Sequence, residues 1–152
     1  MTTGAQTTQV YQLYIKATPD RIWEAITSPE FTTRYFHGSY VDSTFEAGAP
    51  YRGYSTDRSQ LWVDGEVVVA ERPRRLQHTW RALYNPETAT EPASRVTWEI
   101  EPKEGGYSLL TVTHDRLEGA PKTAASVGGT GWMMVLSGLK TLLETGEPLV
   151  TP

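Results

Sequence analysis

Between Lys122 and Thr145 the chain sets Trp132, Val135, Leu136, Leu139, Leu142 and Leu143 at the i, i+3, i+4, i+7 spacing of one helical face. This spacing predicts one long amphipathic helix, which needs an apolar surface to lie on. The only surface available is built by the preceding hundred or so residues, which alternate in the manner of strands. A helix laid across a sheet whose facing residues are aromatic encloses an apolar cavity, so the pattern describes a container before it describes any contents.

The strands are read from period-two alternation and from the glycine, proline and acidic breaks between them. Val10 to Lys16 forms the first. Thr18-Pro19-Asp20-Arg21 then places a hydroxyl cap ahead of a proline, opening a short helix with Ile22, Trp23 and Ile26 on its apolar face. Ser28-Pro29-Glu30 repeats the signal for a second short helix carrying Phe31, Tyr35 and Phe36. Strands follow as a meander over Ser39–Phe45, Tyr51–Thr56, Leu61–Glu71, Arg75–Ala82, Arg95–Pro102 and Tyr107–Arg116. Leu76, His78, Trp80 and Ala82 share one face, as do Val96, Trp98 and Ile100, and again Leu110, Val112 and His114. The opposite faces are polar, as a sheet covered on one side requires. Tyr84 to Ala93 reads as a loop long enough to form part of a cavity rim.

The fold class expected is therefore α+β: a curved antiparallel sheet of about seven strands, two short helices after the first strand, and a long closing helix. At 152 residues and 17.0 kDa the chain suits one domain, expected over 10–149, with short tails at 1–9 and 150–152. The net charge of −4 argues against a nucleic-acid surface. With no cysteine, disulfides and thiolate metal sites are impossible, which fits a reducing compartment. The polar Met1 to Gln9 segment is unlike a signal peptide, and no apolar run is long enough to span a bilayer, so a cytoplasmic protein is expected.

Several groups invite chemical readings. His114 and His78 lie on apolar strand faces, where imidazole could serve as a polar contact or general base; a buried histidine satisfied by a neighbour is the simpler reading. His37, beside Gly38, reads as solvated. The three histidines lack HxH or HExxH spacing, so no metal is expected, and no cofactor. Asp64 and Glu66 share a face with Val68, while Val67 and Val69 take the other, which makes the carboxylates an outer, solvated pair. Val127-Gly128-Gly129-Thr130-Gly131 lacks the P-loop sequence and its preceding strand, and reads instead as a close approach or a bend. Arg72, Arg74 and Arg75 read as solvated turn charges, with an acidic partner the lesser reading.

The run from Ile15 to Glu30, with Thr18-Pro19-Asp20-Arg21-Ile22-Trp23 at its centre, resembles the opening of bacterial homologues of the activator of the heat-shock-protein-ninety ATPase, in the START-like (SRPBCC) superfamily. Collinear matches follow at Gly65-Glu66-Val67, Pro73-Arg74-Arg75-Leu76, Val96-Thr97-Trp98-Glu99, Leu110-Thr111-Val112-Thr113-His114, and Gly131-Trp132 with Leu136 to Glu144. The resemblance implies a helix-grip (START-like, Bet v 1-like) fold with a cavity between helix and sheet. It also implies a small-molecule binder for an apolar, aromatic or lipid-like ligand, in a stress-related setting. The ligand wall expected is Tyr35, Phe36, Trp80, Trp98, Trp132, Met133 and Leu136, with His78 and His114 orienting the ligand. An alternative is a polyketide cyclase- or aromatase-like enzyme in which His114, helped by Tyr35 or His78, moves protons. Another is an interaction module for a chaperone or winged-helix repressor, with an exposed apolar patch on the outer sheet face. A monomer or homodimer is expected.

Overall fold

Each strand presents one apolar face because side chains alternate across it, and the computed structural model, which describes residues 7–150, shows where those faces gather. Seven antiparallel strands run β1 (Gln9–Ile15), β2 (Tyr40–Asp42), β3 (Pro50–Tyr54), β4 (Leu61–Glu71), β5 (Arg75–Ala82), β6 (Ser94–Lys103) and β7 (Tyr107–Asp115). Their spatial order is β1-β7-β6-β5-β4-β3-β2, an open sheet in which the first strand closes beside the last. The helices are α1 (Pro19–Thr27), α2 (Pro29–Tyr35), the single turn α3 (Pro86–Ala89), α4 (Pro121–Val127) and α5 (Thr130–Thr145). This is the α+β architecture expected, with the long closing helix on the apolar side of the sheet. No helix of the described residues is long and apolar enough to cross a membrane.

The expected start signals work as chemistry in one case and only as backbone in the other. Thr18 accepts a hydrogen bond from Arg21 N at 3.3 Å, with Pro19 in the first turn of α1. Ser28 makes no side-chain cap; its carbonyl alone accepts from Phe31 and Thr32, each at 3.0 Å. Residues Ile22, Trp23, Ala25 and Ile26 of α1, and Trp132, Val135, Leu136, Leu139 and Leu142 of α5, join the buried strand residues in one core. Burying each large apolar side chain stabilises the fold by about 1.5–3 kcal/mol.

Beyond a second strand shortened from Ser39–Phe45 to Tyr40–Asp42 and a helical turn at Pro86–Ala89 inside the loop expected over Tyr84–Ala93, three details differ from the sequence expectation. The helix expected over 122–145 is two helices, because Gly128 is extended and Gly129 has φ +57° and ψ −115°. In β4, Val67 pairs with His78 and Val69 with Gln77, so Val68 is an extra residue. That bulge hands the inward position to Ala70, which packs against the core, rather than to Val69. Finally, Gln9 belongs to β1, where its buried amide donates to Ala124 O at 3.0 Å. Residues 1–6 of the N-terminal tail expected, and 151–152 of the C-terminal one, lie outside the described residues.

Candidate functional site

The break at Gly128 and Gly129 lets α4 and α5 meet the sheet at different points, and a cavity of about 390 Å³ opens between them and β4 and β5. Trp132, Val135 and Gly131 of α5 form one wall, and Ser126 and Val127 of α4 extend it. Trp80 of β5 and Trp62 and Val63 of β4 form the opposite wall. Phe36, His37 and Ser39, in the turn after α2, and Tyr84, after β5, complete the lining. Tyr84 Oη and Ser126 Oγ are 2.7 Å apart, joining the loop to α4.

Phe36 is the hub of this arrangement. Its ring lies 5.9 Å from Trp80 at 28°, 6.0 Å from Trp132 at 67° and 6.4 Å from Trp98 at 55°. Such offset and edge-to-face pairs hold the wall rigid. The turn that presents Phe36 requires glycine at Gly38, with φ +77°, and its carbonyl accepts from Thr56 Oγ1 at 2.6 Å.

The two strand histidines lie behind the wall rather than in it. Trp132 Nε1 donates to His114 Nδ1 at 3.1 Å, so the proton of the neutral ring sits on Nε2, which donates to Ser94 Oγ at 2.7 Å. Ser94 Oγ donates onward to the Trp80 carbonyl at 3.1 Å. In the same way Trp98 Nε1 donates to His78 Nε2 at 3.1 Å, and His78 Nδ1 donates to the Thr79 carbonyl at 3.0 Å. The His78 ring stacks on Tyr51 at 3.7 Å. Burial pushes His78 down to about 4 and His114 to about 3, the latter aided by the neighbouring His78.

Of the residues expected to meet a ligand, Phe36, Trp80 and Trp132 line the cavity. Trp98, His78 and His114 are fully packed beneath the aromatic wall. Tyr35 is buried elsewhere: its hydroxyl donates to Ala25 O at 2.8 Å, and burial raises its pKa well above the usual phenol range. Leu136 is a core residue that does not reach the cavity, and Met133 faces solvent at 54% exposure. Met133 lies one position beyond Trp132, about 100° further round the helix, which turns it away from the sheet.

Sequence reasoning did not place Trp62, Val63, His37, Ser39, Ser126, Val127 or Val135 on the wall. Trp62 reaches it because Tyr54 pairs with Leu61 and Gly53 with Val63, leaving Trp62 as an extra residue in a second bulge. The signal for His37 and Ser39 was the adjacent Gly38, which marks a tight turn between helix and sheet.

The carboxylates of β4 behave as an outer surface. Asp64 receives Arg81 through Nε at 3.0 Å and Nη2 at 2.8 Å, and Arg95 makes the same two-pronged contact with Asp115. Among the described residues no cluster of three or more His, Cys, Asp or Glu side chains suits a metal ion.

Comparison with known proteins agrees with this architecture. CalU16 from Micromonospora echinospora has the same fold at 23% identity and a TM-score of 0.70, over 95% of this chain and 83% of that one. An HSP90 activator from Plasmodium falciparum matches at 18% identity and a TM-score of 0.68, over 94% of this chain and 99% of that one. The Aha1 dimer from Colwellia psychrerythraea matches at 16% identity and a TM-score of 0.71, over 93% and 98%. No curated protein matches the chain. The family described as Activator of Hsp90 ATPase homolog 1-like protein matches residues 16–144, from just after β1 to the last turn of α5, and the chain belongs to that family.

Proposed function

We propose that the protein binds a small apolar or aromatic molecule in the space bounded by α4, α5, β4 and β5. The observation that carries this reading is a cavity of about 390 Å³ walled by Phe36, Trp62, Trp80 and Trp132, within the range of about 300–1,000 Å³ usual for ligand pockets. Rigid aromatic walls lose little entropy when a ligand arrives, so shape and desolvation can supply the affinity. Roughly micromolar binding, about −8 kcal/mol, is the expected scale. Full hydrogen bonding of His78 and His114 by protein partners supports holding a ligand over moving its protons. The test is a titration of the ¹⁵N-labelled protein with neutral aromatic compounds, repeated on Val135→Trp, which fills the cavity. Saturable shifts of the Trp80 and Trp132 indole signals are expected in the native protein and not in the variant. Shifts of equal size in both would reject the site.

A second reading, action on a chaperone ATPase of the Hsp90 class, is supported by the family description and by the Plasmodium relative. Stimulation of ATP turnover on adding stoichiometric protein to such a chaperone would favour it. The outer sheet face offers that partner charged and hydroxyl side chains, with the Asp64–Arg81 and Arg95–Asp115 ion pairs among them.

A further inference from the structure

Building on the binding role above, we propose that the turn His37-Gly38-Ser39 is a head-group site for organic acids. The His37 imidazole and the Ser39 hydroxyl hold a carboxylate at the rim, and the apolar body of the acid lies inward. Both residues line the cavity beside Phe36. Other polar groups of the lining are already engaged: Tyr84 Oη and Ser126 Oγ bond each other at 2.7 Å, and Trp132 Nε1 donates to His114. Ser39 differs. It is 8% exposed, yet its Oγ keeps open surface and meets no partner among the described residues. An enclosed hydroxyl without a partner is uncommon in a native protein and marks a place for a group supplied from outside the chain. His37 is exposed, and its ring, edge-on to Phe36 at 6.5 Å, has no hydrogen-bond or ion-pair partner among the described residues.

The backbone fixes both side chains. His37 and Gly38 have φ +51° and +77°, Ser39 N donates to Phe36 O at 2.9 Å, and Thr56 Oγ1 holds the Gly38 carbonyl. A left-handed histidine costs backbone energy, and such strain gathers where a side chain is held for use. The chemistry of the pair then selects the head. Imidazole and hydroxyl can each donate, and a carboxylate offers two acceptor oxygens. No aspartate or glutamate lines the cavity, so nothing there repels an anion or pairs with an ammonium head. No lysine or arginine lines it either, so the carboxylate cannot move inward without losing its partners and stays at the turn, where His37 remains in contact with water.

Three probes share one body: 2-naphthylacetate, 2-naphthylacetamide and 2-ethylnaphthalene. Titrations followed by ¹⁵N-resolved spectra compare the native protein with Ser39→Ala, which removes an unbonded hydroxyl, and His37→Gly, which keeps the left-handed backbone without strain. The acetate should bind each variant about fivefold to tenfold more weakly, the worth of a charge-assisted hydrogen bond weakened by nearby water. The acetamide should lose less than the acetate in His37→Gly, and ethylnaphthalene should keep its affinity in both variants. Independently of any variant, the His37 ring ¹⁵N signals of the native protein should shift with the acetate and not with ethylnaphthalene. Acetate affinity unchanged by the substitutions, equal losses for acetate and ethylnaphthalene, or unmoved His37 signals would each overturn the proposal while leaving a binding role standing. Failure of all three probes to bind would remove both.

Discussion

His78 and His114 each accept an indole N–H on one ring nitrogen and donate through the other, so a proton added to either ring has no free site. It would set two N–H groups against each other in a dry core. Both groups therefore stay neutral in the folded chain, at about 4 and about 3, against an ordinary value of 6.5 when unfolded. The unfolded chain binds more protons between those values, so stability is complete above pH 6.5 and is lost as pH falls toward 4. Urea unfolding at pH 7.5 and at pH 5 should differ by roughly 2 kcal/mol for each histidine, at 1.36 kcal/mol per unit. Identical midpoints would mean that the rings are not held neutral. Alternation along β5 and β7 put these histidines on the inner face, and that much was readable from the chain. Their partners were not, because Trp98 lies 20 residues from His78 and Trp132 lies 18 from His114, and only the packed sheet and helix bring them together.

Among the elements, the glycines at breaks and close approaches determine where the walls stand. Gly128 and Gly129 divide the closing helix, and the break is tied to β1 by Tyr11 Oη, which accepts from Gly129 N at 3.1 Å. A Cβ at Gly129 would meet nothing, so Gly129→Ala carries only the backbone penalty of a φ/ψ pair outside the left-handed helical region, about 2 kcal/mol. At Gly65 the same atom would lie 2.0 Å from the Thr79 carbonyl, where backbone blocks it. Gly65→Ala should therefore cost about 3 kcal/mol or more, at the severe end of single substitutions. Comparing both variants by urea unfolding checks the order, and equal losses would contradict it. The apolar period of residues 132–143 predicted the helix correctly, and it ran through the break because amphipathic spacing persists across it. The bulges at Trp62 and Val68 were hidden for a related reason: an inserted residue shifts the face without altering composition.

At the scale of the whole molecule, the order β1-β7-β6-β5-β4-β3-β2 gives one continuous inner face, which α5 covers only in part. Residues Leu139 and Leu142, toward the C-terminal end of α5, are buried in the core, while Trp132 and Val135, toward its start, border open space. The fold was legible because strand alternation, helix period and cap signals agreed with one another. The cavity was legible as an expectation of the helix-on-sheet arrangement, and its wall only in Phe36, Trp80 and Trp132, since Trp62 enters at a bulge, His37, Ser39 and Tyr84 stand in turns, and Ser126, Val127, Gly131 and Val135 flank a helix break that the spacing did not reveal. The most direct measurement is a set of intermolecular nuclear Overhauser effects from diphenylmethane bound to the ¹³C-labelled protein. The account predicts contacts from the ligand rings to the methyl groups of Val63, Val127 and Val135, all of which line the cavity. Contacts confined to the solvent-facing Met133 and Met134, or none at saturating ligand, would contradict it.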